Sequence, residues 1–395
     1  MPNIPKVLLM IENSREYGRQ LLRGISRYTG LYGPWNFHMS EPFYYGTSGT
    51  KKSVSHLIEK WGANGIIMRE SDEKEEMKQI AQMGVPAIIV HTYTKERFSG
   101  LVGLFGDCAG AGKLAAEHLL GRGLKHFAYC GIDDMYWSEE RGASFHKYIS
   151  EAGFEVQFYK QPSSKQKRLW EFEQGIMIEW LRQLPKPVGL MTCTDDRSQN
   201  VVEACKAAGI HIPEEVAIVG VDNDELVCCL SNPPLTSVAL NATRAGYEAA
   251  ETLHGLMNGK KNTDKFILAE ATHVVTRQST DILAIDDAEV ANAISFIRQN
   301  ARRAVQVCDV INSGTLSQRA LQQRFKKVLG RTIHDEINRA RIDLICQLLL
   351  NTHRSISDIA LDLQFLSAEH IARYFKKEKG MVPREFRKQF GYDQF

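Results

Sequence analysis

Two sets of side chains in this sequence are spaced for chemistry. In the first, Arg319, Gln322, Gln323 and Lys326 stand at i, i+3, i+4 and i+7, so a helix would present them on one face. Arg pairs bidentately with guanine and Gln with adenine in a DNA major groove. Fifty residues on, Glu369, His370, Arg373 and Lys376 repeat the arrangement. There Glu369 suits cytosine N4 and Arg373 suits guanine, while Lys327 and Lys377 are placed for phosphate. The second set lies at the C-terminal ends of short apolar runs: Asn13, Glu70, His91, Asp107, Asp195, Asp222 and Asn223. Arg141 follows Trp137 at an expected helix start. Carboxylates and a guanidinium make forked, charge-assisted hydrogen bonds to vicinal hydroxyls, and Trp137 and Tyr17 offer flat faces to a sugar ring. Taken singly, an Asp or Asn at such a point is more often a turn former or helix cap.

The elements that must position the first set are visible as a repeat. Leu316-Ser317 and Phe325-Lys326-Lys327-x-x-Gly330 recur as Leu366-Ser367 and Phe375-Lys376-Lys377-x-x-Gly380. Each copy reads as a short helix, a tight turn and a second helix, with Ser317 or Ser367 accepting backbone N–H bonds at the second start. Leu321, Phe325, Val328 and Leu329 form the inward stripe of the first copy. One copy alone would read as a solvated amphipathic helix; two in register outweigh that reading. Thr332 and Asp335 cap a longer helix whose stripe is Ile333, Ile337, Ile342, Ile345, Leu348 and Leu349. It would hold the two reading helices apart, as successive major-groove faces lie about 34 Å apart.

This pattern resembles the AraC/XylS family of transcription regulators. The residues that carry it are Ile359-Ala360 through Phe365, then Arg373-x-Phe375-Lys376-Lys377-x-x-Gly380-x-x-Pro383-x-x-Phe386-Arg387. The resemblance implies an all-α domain with two helix-turn-helix units over residues 288–395. Two positions depart from it. Gln364 stands where the family's second turn usually has Gly, which calls for a left-handed Gln, and His370-Ile371 replaces a usual Tyr-Phe pair.

Upstream, residues 1–278 alternate apolar runs with amphipathic segments. The runs fall at 7–11, 35–38, 65–68, 87–91, 127–131, 188–192 and 217–221, and helical patterns lie between them. That alternation predicts parallel βαβ units, and the length predicts two lobes. The lobe change is expected near residues 121–125, with crossings back near 235–241 and in a strand over 266–276. Asp195, Pro213 through Asp222-Asn223, Pro233-Pro234 and Gly246 carry a resemblance to the effector domains of LacI/GalR regulators and to periplasmic sugar-binding proteins. The fold class implied is an α/β two-lobed, periplasmic-binding-protein-like sensor, joined through a linker at 279–287 to the helical domain. A sugar sensor followed by an AraC-type domain resembles xylose-responsive operon regulators. That implies D-xylose as effector, with Asp222, Arg141 and Asp195 as its first contacts. Another pentose, a related sugar or a purine stays open, since this sensor fold hosts many ligands.

Other functions are excluded or disfavoured. Gly106 through Gly112-Lys113 has five residues where a phosphate loop needs four, and Leu114 replaces Ser or Thr. Its glycines are expected to permit close helix–strand packing. There is no HExxH and no GxSxG, so an enzyme with a fused DNA-targeting domain is the weaker alternative. Eight cysteines show no CxxC spacing, so neither metal nor cofactor is expected. No run approaches a membrane span and residues 6–11 are too short for a signal peptide, which points to the cytoplasm. The net charge of +2 divides into +5 from Asp286 onward, 18 Lys and Arg against 13 Asp and Glu, and −3 before it. Positive charge is concentrated where DNA would bind. The expected partners are operator DNA, a sugar effector, a second copy of the chain and RNA polymerase. Since Gln364 makes the second turn irregular, the first unit is expected to carry at least as much base specificity as the second. Arg319→Ala or Gln323→Ala should relax discrimination by roughly 1–3 kcal/mol at one or two base pairs, while Lys327→Ala weakens all sequences alike. Titrations on single-base operator variants at two salt concentrations check this. Equal losses on every variant with a shallower salt slope would place Arg319 and Gln323 on the backbone.

Overall fold

The structure is a computed structural model that describes residues 4–39, 54–94, 98, 100–164, 169–260, 266–282, 284 and 287–390. The first lobe is built on a parallel sheet of β1 (Lys6–Met10), β2 (Asn36–Met39), β3 (Gly65–Arg69), β4 (Ala87–Val90), β5 (Val102–Gly106) and β11 (Ile267–Ala269), in the order β11-β5-β4-β3-β1-β2. Val7 and Leu9 of β1 pack with α1 (Glu16–Tyr32) and α9 (Ala242–Met257); Leu8, between them, packs with α2 (Val54–Trp61) and α3 (Lys74–Gln82). Both faces are thus covered, as a parallel sheet requires. Close packing of α1 on α9 needs two glycines. A Cβ on Gly24 would lie 2.0 Å from the Thr243 carbonyl oxygen, and one on Gly246 would lie 2.1 Å from that of Leu21.

The second lobe repeats the plan with β6 (His126–Cys130), β7 (Val156–Phe158), β8 (Val188–Thr192), β9 (Val216–Val221), β10 (Thr236–Leu240) and β12 (Ala271–Val275). Its order is β12-β10-β9-β8-β6-β7, with only β12 antiparallel. Phe127, Tyr129, Met191 and Val219 face α4 (Cys108–Leu120) and α5 (Tyr136–Glu151). Ala128, Val188, Leu190 and Ile218 face α6 (Trp170–Gln183) and α7 (Asp195–Ala208). The short α8 (Glu225–Leu230) follows β9.

Three segments join the lobes, and they lie side by side. The first is at Asp107 rather than at residues 121–125, because α4 packs wholly on the second sheet. The second is at Asn241, and the third at Glu270, which breaks the expected 266–276 strand into β11 of one lobe and β12 of the other. Asp107 N–H donates to Ala269 O at 2.9 Å, its carboxylate accepts from Ala271 N at 3.2 Å and Gly110 N at 2.8 Å, and Asn241 N–H donates to Glu270 O at 2.8 Å. Gly112 serves helix–helix packing, not the expected helix–strand packing: a Cβ there would meet Phe145 N at 2.6 Å. Ser279 and Thr280, expected in the linker, are wholly buried in the second lobe, where Ser279 Oγ donates to Ile218 O at 2.7 Å.

The C-terminal domain comprises α10 (Ala288–Gln299), α11 (Val307–Asn312), α12 (Gln318–Leu329), α13 (Ile333–Asn351), α14 (Ile356–Asp362), α15 (Ala368–Lys379) and α16 (Pro383–Phe390). Caps set its boundaries. Ser317 Oγ accepts from Ala320 N, Ser367 Oγ from His370 N, and Asp287 caps α10. Thr332 and Asp335 form a reciprocal capping box, and Gly330 and Gly380 end α12 and α15 at φ 70° and 76°. The domain has two cores, and α13 belongs to both. Ile333 and Ile337 join Val290, Val310, Leu321 and Phe325; Ile345 and Leu349 join Ile359, Ile371, Phe375 and Phe386.

Between those two halves of α13 sits Arg341, 7% exposed. Its guanidinium donates to Leu363 O at 2.7 Å in the second unit and to Arg303 O in the first, and lies 4.6 Å over the Phe365 ring. Arg341→Ala leaves two carbonyls short of their donor and should cost about 2–4 kcal/mol of the domain's stability. Lys should not rescue it, since one ammonium has no planar fork to serve both carbonyls. Calorimetry of the full chain, following the transition of the helical domain, checks both expectations.

Candidate effector cleft and nucleic-acid interface

A cavity of about 310 Å³ lies between the lobes, below the ends of β1, β4 and β9. Tyr17, His91, Trp137, Arg141, Asp195 and Asp222 all line it. Arg141, on the first turns of α5, donates through Nη2 to Asp222 Oδ1 at 3.0 Å and through Nη1 to Cys193 O at 2.5 Å. Its guanidinium lies 5.3 Å over the Trp137 ring. Asp222 follows β9 at φ 98° and Asn223 comes next at φ 50°, two left-handed non-glycine residues in succession. Such backbone costs energy and is held here by Asp222 N–H on Val238 O (2.9 Å) and Asn223 N–H on Ser237 Oγ (3.0 Å).

Asp195, the first residue of α7, is buried at 2% exposed. Its Oδ2 accepts from Asp224 N–H at 2.7 Å, while Oδ1 has no partner. Burial, and then the charge of Asp222, push this carboxyl up to about 8. Burial likewise pushes the Tyr17 hydroxyl up, so it stays neutral and available to donate. The cavity therefore holds a neutral acid, a neutral phenol and a guanidinium–carboxylate fork within an apolar frame of Ile11, Leu21, Val90 and Ile132. This mixture suits a small polyhydroxylated ring, and the volume sits near the low end of small-molecule sites, about 300–1,000 Å³.

The other expected ligand residues do not line the cavity. Asp107 is spent on the lobe junction described above. Glu70 Oε2 accepts from Thr92 N (2.7 Å), Tyr93 N (2.8 Å) and Thr94 N (3.3 Å), shaping the turn after β4 on which His91 stands. Asn223 Oδ1 accepts from Arg277 Nη2 at 2.9 Å, and Asn13 is an exposed loop residue. Sequence reasoning missed Arg15, Arg69, Asp196 and Asp224, which do line the cavity. Arg15 Nε pairs with Asp196 Oδ2 at 2.7 Å and Arg19 Nη2 with Asp224 Oδ2 at 2.8 Å, each pair crossing from one lobe to the other. The same Asp224 oxygen accepts from Glu16 N–H at 2.9 Å. The signal for these lay in the acidic neighbours Asp195-Asp196 and Asp222-Asn223-Asp224; their partners are some two hundred residues away.

At the other end of the chain, α12 presents Arg319, Gln322, Gln323, Lys326 and Lys327 to solvent. Val328, expected in the buried stripe, is 41% exposed. On α15, Glu369, Arg373, Lys376 and Lys377 are exposed; His370 is not free, since its ring packs against Phe365 at 5.3 Å and its Nδ1 is buried. Gln364 adopts φ 57°, the left-handed turn that the sequence demanded, and its side-chain oxygen accepts from Ala304 N at 3.3 Å. No helix among the described residues is long and apolar enough to cross a membrane.

Comparison with known proteins agrees with both halves. Residues 116–280 match the periplasmic binding protein-like domain family and residues 314–389 the helix-turn-helix domain family. The chain is 30% identical over 388 residues to the xylose operon regulatory protein of Haemophilus influenzae, covering 97% of this chain and 98% of that one. It is 27% identical to the protein of the same name from Escherichia coli K12, covering 97% and 96%. Among solved structures, the xylose-binding transcription activator xylR aligns with a TM-score of 0.60 and 25% identity, over 99% of this chain and 100% of the other.

The state of Asp195 sets a pH dependence. Folding raises this carboxyl from its ordinary 3.8 to about 8, so the folded state keeps a proton that the unfolded chain has lost. The group's effect on stability is therefore neutral below about pH 4 and increasingly unfavourable as pH rises to about 8. Asp195→Asn should raise the melting temperature more at pH 8 than at pH 5. A difference that is the same at both pH values would mean that Asp195 is ionised in the folded protein.

Proposed function

The chain belongs to the xylose operon regulatory proteins, and from that premise we propose that the sugar it senses is D-xylose, held in the cavity between its two lobes. It is a sugar-sensing transcription regulator with a helix-turn-helix DNA-binding domain, and not an enzyme. The observation that carries the effector reading is the Arg141–Asp222 fork lining one cavity together with the buried acid Asp195, Trp137 and Tyr17. Fork and acid meet ring hydroxyls, and the aromatic faces take the ring.

The mechanism is lobe closure. Asp195 is one hydrogen bond from Asp224, and Asp224 bridges to Arg19 and to the N-terminus of α1 in the other lobe. A sugar that engages Asp195 and Asp222 while touching Tyr17 and His91 binds the closed form better than the open one, and only that difference shifts the equilibrium. Asp224 also caps α8, whose Leu226 and Leu230 are 65% and 81% exposed. This exposed apolar helix is suited to meet a second copy of the chain, so closure would alter the spacing of two DNA-binding domains. The regulator works in the cytoplasm as a homodimer, with Arg319, Gln322, Gln323 and Arg373 reading operator bases and RNA polymerase as a partner at the promoter. A screen of sugars by thermal shift tests the reading: xylose at a hundred times its dissociation constant should add about 2.7 kcal/mol. Asp222→Ala should abolish that shift and leave salt-dependent DNA binding intact. A larger shift from another sugar replaces the effector; an unchanged xylose response in the mutant removes Asp222 from the site.

A further inference from the structure

A second cavity, of about 380 Å³, lies where the second lobe meets the helical domain. One wall is the C-terminal end of α4 with Arg122 and Thr276; the other is α10 and α13, bringing Arg298, Gln299 and Arg339. Arg298 Nη2 donates to Gly121 O at 3.1 Å and Arg339 Nη2 to Glu117 O at 2.8 Å, so each spends one N–H on a last-turn carbonyl of α4. Arg122 is 5% exposed, and among the described residues its guanidinium makes no hydrogen bond and no ion pair. The guanidinium groups of Arg122, Arg298 and Arg339 thus share the lining of one cavity.

Three carboxylates, Asp281, Glu336 and Asp343, share the lining, but among the described residues none forms an ion pair with Arg122, Arg298 or Arg339; Glu336 is held instead by Arg331 at 2.7 Å. His118 adds no charge; burial keeps it neutral, with Nε2 at 2.8 Å from Thr280 Oγ1. Burial and then the neighbouring Arg298 pull Arg122 down to about 9, the sign of a cation short of counter-charge. A buried arginine is ordinarily paired, and its planar fork fits phosphate oxygens two at a time.

We propose that this cavity is a second effector site, taking a phosphate group, free or carried on a small polar metabolite, against Arg122, Arg298 and Arg339. Arg122 belongs to the sensor, Arg298 and Arg339 to the DNA-binding domain, so the anion would clamp the two together. The space exceeds what a phosphate needs, and Thr276, Gln299 and Gln347 line the rest with hydrogen-bonding groups suited to a carried polyol. None of these residues lines the cavity between the lobes, so the proposal stands apart from the xylose reading.

Titration calorimetry of the full chain tests it, with inorganic phosphate, glucose 6-phosphate and glucose as probes at ionic strength held constant with sodium chloride. Saturable binding of inorganic phosphate is expected, at least tenfold weaker in Arg122→Gln and unchanged in Asp222→Ala. Tighter binding of glucose 6-phosphate than of phosphate assigns the site to a phosphorylated metabolite, and equal binding to the free ion; glucose should not bind there. If Arg122→Gln does not fold, Arg339→Gln, at a partly exposed position, should weaken phosphate at least threefold. Absence of saturable phosphate binding, or equal affinity in the wild type and in whichever variant folds, overturns the proposal.

Discussion

The carboxylate of Asp224 ties the two lobes of the sensor together. It is buried, yet it accepts from Arg19 and from the Glu16 N–H in one lobe while capping α8 in its own. Its backbone N–H at the same time fixes the inner oxygen of Asp195. A buried carboxylate is tolerable only while these donors are present, and two of the three lie on the opposite lobe. Opening the cleft exposes the group to water; closing it trades that water for fixed donors. A ligand in the adjacent cavity can decide between the two only through its differential affinity for them. The Arg15–Asp196 pair at the rim adds less, being half exposed and screened by salt.

What closure can move is limited by how rigidly the helical domain is made. Its two units are not two beads on a string: α13 lends its first turns to one core and its last to the other, with Arg341 locking both across the middle. The two reading helices therefore move as one body. That body touches the second lobe through Arg298 and Arg339 on the end of α4, and touches it by hydrogen bonds to backbone carbonyls rather than through a shared apolar core. A polar contact of this kind can be made and broken without unfolding either side, and inter-domain motion is the default where the shared surface is polar.

Much of this could be read from residue types, and the failures have a common cause. The apolar run of β1, the caps at Ser317, Ser367 and Thr332, and the left-handed Gln364 are all local, set by neighbours within a few positions. Asp222, Asp195, Arg141, Tyr17, Trp137 and His91 line the cavity because strand ends in a parallel sheet open on one crevice. Asn13, Asn223, Glu70 and Asp107 looked the same in sequence, but an arginine, backbone N–H groups and the lobe junction claimed those at 223, 70 and 107. The first lobe crossing was misplaced because strand membership depends on pairing between distant segments, here β11 with β5. Val102 to Gly106 carries two glycines and hid as a strand. The inter-lobe pairs could not be seen at all, since Arg15 and Asp196 are independent until the fold brings them together.

The interleaving of the two lobes governs how the chain is made. The first sheet lacks β11 and its covering helix α9 until about residue 269 has emerged, and the second lacks β12 until residue 275. On the ribosome neither half of the sensor has a complete core while the other is unfinished. Val7, Leu9, Ile67 and Ile88 wait for the alanine face of α9 throughout. The two lobes thus become complete within a few residues of each other. The helical domain, whose cores use only residues from 290 onward, is translated after them. In the order of translation the sensor is therefore complete before the helix-turn-helix domain that follows it.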